Sequence, residues 1–144
     1  AKPALYISAH LEKHRGAYFD ALTRVRESND IGHWCRFFLQ AVEETAEKGK
    51  ATFQKLLVLR QEVDNHIVTL GRRAENGRRL IQFLYQRPTV DIALVSTVLK
   101  IQYPVANQLV GALVKLGLLK EMTGYQRNRL FQFQPYLDIF RAEQ

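Results

Sequence analysis

Pro104 and Gly117 bracket the run "PVANQLVGALVKLG", and the apolar residues between them recur at Ala106, Leu109, Val110, Leu113 and Leu116. Proline is tolerated in the first turn of a helix, where its missing N–H would lack an intrahelical partner anyway. Glycine just past the last turn accepts the left-handed conformation that closes one. The spacing therefore predicts a helix with one buried stripe and one solvent face. Two short apolar segments follow, "LLKEM" and "RLFQF", separated by "TGYQRN", the pattern of a β-hairpin with a longer loop. Two shorter helices are expected ahead of Pro104. Leu80, Ile81, Phe83 and Leu84 predict one that stops before Pro88, because the residue preceding a proline is pushed out of the helical region. Thr89 is the expected cap of the next, through Ala93, Leu94, Val98 and Leu99, with Asp91 near the positive end of its dipole. Three helices and then a hairpin predict a winged helix-turn-helix domain over residues 71–144.

Residues 1–70 read as helix after helix. Pro3 suits a helix start, with Leu5, Ile7 and Leu11 behind it, and Tyr18, Phe19, Leu22 and Val25 recur at helical spacing up to the polar break "ESND". Asp30 is the expected cap of a helix carrying Trp34, Phe37, Phe38, Ala41 and Val42 on one stripe. Phe53, Leu56, Leu57, Val63, Ile67 and Leu70 mark one side of a third long helix. The fold class is thus mainly α, a helical bundle followed by the winged helix. The boundary falls in "GRRAENGRR", residues 71–79, which is polar, basic and contains two glycines.

With 144 residues, 47% of them apolar, the chain can bury a core as one large or two small domains. Its net charge of +7 and pI near 9.8 favour a polyanionic partner. The single cysteine, Cys35, cannot form an intramolecular disulfide or join a second thiol on zinc, which points to a reducing compartment. Its place in the apolar run "WCRFFL" predicts a small core residue. No apolar run approaches the length of a membrane span and no secretory signal opens the sequence, so the expected location is cytoplasmic, with no membrane partner.

Once the core stripe of the Pro104 helix is fixed, Pro104, Asn107, Gln108, Gly111 and Lys115 turn outward. Asn and Gln side chains donate and accept together, as bidentate reading of an adenine edge requires, while lysines meet phosphates. The candidate DNA-binding residues are Lys100, Asn107, Gln108 and Lys115, with Arg127 and Arg129 in the wing. Tyr125 is placed either to stack on a base or to pack on its own hairpin. The helix carries one lysine and no arginine, so a protein-docking or homodimerisation role stands as the alternative, with Val105 and Val114 near the edges of its exposed face. His10 and His14, spaced i, i+4, share one helix face, but no third ligand is spaced nearby, and His33 and His66 are isolated. No metal site and no catalytic residue is assigned. Glu75-Asn76-Gly77-Arg78 reads as part of the linker.

Two stretches carry a resemblance. Residues 2–46 present Leu-Tyr-Ile-Ser, then Glu-Lys-His-Arg, then Tyr-Phe-Asp-Ala-Leu, then Trp with Phe-Phe-Leu. That order resembles the helices following the catalytic loop in Fic-family proteins. Residues 103–140 are similar to the winged helix that many members carry at the carboxyl terminus. The resemblance implies a parent protein that transfers AMP from ATP to a protein hydroxyl. In such a loop a histidine takes the hydroxyl proton, an acid holds magnesium, and backbone amides with arginines cradle the phosphates. The His-Pro-Phe and Gly-Asn-Gly-Arg elements of that loop are absent from this sequence. ATP and magnesium are therefore expected only for the full-length parent, whose amino-terminal part would be a partner of this chain. Three positions depart from the usual pattern of the family's winged helix: Val105 stands for a frequent threonine, Gln108 for a frequent arginine, and Lys100 for a glycine before the turn.

Overall fold

The computed structural model describes residues 7–125 and 128–141. They form helices α1 (Ile7–Lys13), α2 (Arg15–Ser28), α3 (Ile31–Val68), α4 (Ala74–Gln86), α5 (Ile92–Leu99), α6 (Tyr103–Lys115) and α7 (Gln134–Arg141), and strands β1 (Thr89–Asp91), β2 (Leu119–Glu121) and β3 (Leu130–Phe133). The chain divides into two compact units, Ala1–Gln54 and Lys55–Gln144, so that α3 contributes to both. Among the described residues no helix is long and apolar enough to cross a membrane.

In the first unit α2 ends where Asn29 adopts a left-handed conformation (φ 55°) and its N–H bonds back to the Val25 carbonyl. Asn tolerates this region better than most residues because its short amide bonds locally. Asp30 then caps α3 as expected, Oδ1 accepting from the His33 N–H at 3.0 Å. Ala21 and Ala41 are fully buried, and the Tyr18 and Phe37 rings lie 6.3 Å apart. Trp34 stacks on Phe38, one turn further along the same stripe, at 5.2 Å. Cys35 is exposed rather than in the core; one residue beyond Trp34 is a rotation of about 100°, which carries it off the buried stripe.

The second unit is built around Val63, Ile67, Leu80, Leu84, Val90, Val95, Leu109, Leu113 and Phe133, all essentially inaccessible to solvent. Residues 55–70 belong here because Leu59, Val63 and Ile67 enter this core. Phe53 and Leu57, expected on the same buried side, are exposed. The stretch 71–79 is not a linker. Gly71–Arg73 is a single 3-10 turn, and the helix begins at Ala74, six residues before Leu80. Gly77 is buried within α4, so close to α3 that an added Cβ would lie 3.0 Å from Leu70 Cδ1 and 3.1 Å from Ile67 Cδ1.

Thr89 does not cap α5. It begins β1, and the cap is Asp91, whose Oδ1 accepts from the Leu94 N–H at 2.7 Å. The hairpin expected from the sequence is present and gains β1 as a third strand, in the order β1-β3-β2, antiparallel throughout. Val90 pairs with Phe131 and Lys120 with Gln132. The order α4-β1-α5-α6-β2-β3 is that of a winged helix, and α7 follows it.

Candidate nucleic-acid interface

Helix α6 begins as the sequence dictates, with Pro104 in its first turn and Gln102 as a cap that makes no side-chain hydrogen bond. Ala106, Leu109, Val110 and Leu113 are buried, whereas Leu116 is only half-buried because it already lies at the helix end. Gly117 (φ 72°) reverses the chain, and the Leu118 N–H returns to the Leu113 carbonyl at 3.0 Å. The opposite face is open: Pro104, Asn107, Gln108, Gly111 and Lys115 are all exposed.

The wing is tied to this helix. Arg129, just before β3, donates from Nη2 to Asn107 Oδ1 at 2.8 Å. The same guanidinium lies 3.7 Å from Glu121 Oε2 on β2 and sits over the Phe131 ring at 5.4 Å. Because a guanidinium only donates, it fixes the Asn107 amide with its oxygen toward the wing, leaving the NH2 group as the end free to read a partner. Arg129 is thus partly neutralised and held in place, which sequence spacing did not reveal: the three groups come from three separate elements, and Glu121 was not among the expected site residues. Arg127 lies outside the described residues. Tyr125 is 68% exposed rather than packed flat on the hairpin.

Lys100 is exposed at the turn between α5 and α6, in a left-handed conformation (φ 56°) with its N–H bonded to the Thr97 carbonyl. The turn is closed further by Ser96 Oγ, which donates to the Ile101 carbonyl at 2.6 Å. A side chain in this region is strained where glycine is not. Lys100→Gly is therefore expected to raise stability by about 0.5–1 kcal/mol in urea denaturation, while removing one cation from the exposed surface.

Gly111 lies midway along the open face of α6, and an added Cβ there would meet nothing within 4 Å. Glycine inside a helix costs about 1 kcal/mol relative to alanine, and nothing in the fold requires it here. It leaves the helix backbone bare at the middle of this face.

Comparison with protein-family models and with curated proteins returned no match.

Proposed function

We propose that the second unit binds duplex DNA, with α6 toward the major groove and the β2–β3 loop beside it. The observation that carries this reading is the open face of α6. It sets two amide side chains, Asn107 and Gln108, next to the bare backbone at Gly111, with Lys100 and Lys115 toward either end. Amides read base edges, a glycine admits close approach, and flanking cations meet phosphates. Arg129 acts here first as the residue that orients Asn107 and holds the wing, and only secondarily as a phosphate contact.

The salt dependence of binding to mixed-sequence duplexes, followed by fluorescence anisotropy, tests this. Affinity should fall with salt at a log–log slope of about −0.9 per phosphate neutralised. Glu121→Gln releases Arg129 and is expected to tighten binding and steepen the slope by up to about 0.9. Asn107→Ala is expected to relax preference at one base pair by about 1 kcal/mol, the worth of a single hydrogen bond donated by its free NH2 group. No binding at low salt ends the DNA reading, whereas a Glu121→Gln variant that binds like the parent shows only that Arg129 meets no phosphate.

The second reading, a docking or homodimerisation surface, is favoured by exposed apolar groups at the start of α6 and around the hairpin: Tyr103 (54%), Val105 (44%), Met122 and Leu130. Sedimentation at micromolar concentration separates the two, because only the docking reading expects self-association, or capture of another part of the parent, without DNA. We propose in addition that α1 to α3 are the helices following the catalytic loop of a Fic-type AMP transferase. Support lies in the residue order of positions 2–46, and the coding sequence upstream of Ala1 is the test. A parent lacking the His-Pro-Phe and Gly-Asn-Gly-Arg elements there would end that assignment.

A further inference from the structure

Two histidines that lacked a third partner in the sequence acquire one in the fold. His10 lies in α1, and His14 is the single residue between α1 and α2; the backbone N–H of His14 bonds to the His10 carbonyl at 3.0 Å. One helical turn apart, their rings face each other with centroids 4.5 Å apart and planes inclined at 33°. Glu44, thirty residues beyond His14 and on α3, brings Oε2 to 3.8 Å from His10 Nδ1. One donor atom from each of the three residues lies within 4.8 Å of the others. A tetrahedral ion with bonds of about 2.0–2.2 Å needs donors roughly 3.3–3.5 Å apart, so small side-chain rotations bring the set into range.

We propose that His10, His14 and Glu44 form a binding site for a divalent transition-metal ion of zinc's type, with the fourth position left to water. Two imidazoles and one carboxylate make a borderline donor set that suits zinc, cobalt, nickel or copper and disfavours magnesium and calcium. The surroundings fit in part. The His10 side chain is only 9% exposed, while Glu44 stays reachable at 40%. The ammonium groups of Lys13 and Lys48 lie close enough to act on His10 and oppose a further cation. The site should therefore be weaker than an all-thiolate structural centre. Its occupation would pin the α1–α2 turn to α3 within the first unit.

Equilibrium dialysis of the full chain against zinc, with magnesium and calcium as controls, is the direct test. The expected result is one zinc per chain, with neither control ion retained, and a melting temperature that rises with zinc and falls back with a chelator. Glu44→Gln, nearly isosteric, and His14→Ala, at an exposed position, should each weaken zinc binding at least about tenfold, in line with the loss of a ligating group. The double variant His33→Ala/His66→Ala should bind like the parent. The proposal is overturned if the parent binds less than one zinc. It also fails if folded Glu44→Gln and His14→Ala both retain parental affinity, or if the His33/His66 double variant is the one that loses it.

Discussion

Phe133→Ala is expected to destabilise the second unit by about 3–5 kcal/mol, read as a shift of the urea midpoint. Phe133 is completely buried at the end of β3, the central strand. Its ring meets Tyr85 edge-on at 5.4 Å and stacks on Tyr136 at 5.8 Å, so the substitution empties a site shared by α4, the sheet and α7. Tyr85 and Tyr136 also touch each other, at 5.5 Å, so the cavity has aromatic walls that cannot collapse into it without breaking their own contacts. The loss should lie toward the upper end of the range for that reason. A midpoint shift equivalent to less than about 1 kcal/mol would show that α7 and the sheet do not share a core.

Gly77→Leu is the second large effect, at about 3 kcal/mol, near the top of what overpacking usually costs. A Cβ alone would touch Leu70 and Ile67 at the near edge of tolerance. Those contacts are with the ends of flexible side chains, and alanine is the better helix former by about 1 kcal/mol. Gly77→Ala should therefore be close to neutral. Leucine has no such escape, because Ile67 is itself fully buried and cannot swing outward. Near-neutral alanine beside a damaging leucine would establish that close helix packing, rather than backbone conformation, holds glycine at this position. Equal damage from both would contradict it.

That same glycine shows where the sequence was hard to read. In "GRRAENGRR" two glycines amid charges look like a linker, because composition says nothing of the helix that packs against Gly77. The bounds of α6 were legible since Pro104 and Gly117 act locally, and for the same reason the five residues on its open face followed from rotation alone. Thr89 is the cap that sequence suggests for α5, with Asp91 only near its dipole, yet Asp91 is the cap. What decides it is the pairing of Thr89 with Gln132, which turns the threonine into the first residue of a strand. Helix α3 runs unbroken through Gly49, a residue whose cost of about 1 kcal/mol is too small to end a long helix. At the candidate interface the types and exposure of the α6 side chains were legible. The tie of Arg129 to Asn107 and Glu121 was not, because it depends on how α6, β2 and the segment entering β3 converge. The same holds for Glu44 beside His10 and His14. Helix α7 went unforeseen, its apolar residues Tyr136, Ile139 and Phe140 being too few to establish a period.

The sheet order has a consequence for how the second unit assembles. Strands β2 and β3 join residues ten to fourteen positions apart, such as Glu121 with Phe131, whereas β1 reaches β3 across about forty, as Thr89 does with Gln132. Closing the longer loop costs about 1 kcal/mol more in chain entropy, so the hairpin is the more local of the two pairings. Asp91, the last residue of β1, pairs with Leu130 and also caps α5. One residue therefore joins the completion of the sheet to the start of α5, so a change at Asp91 is felt in both.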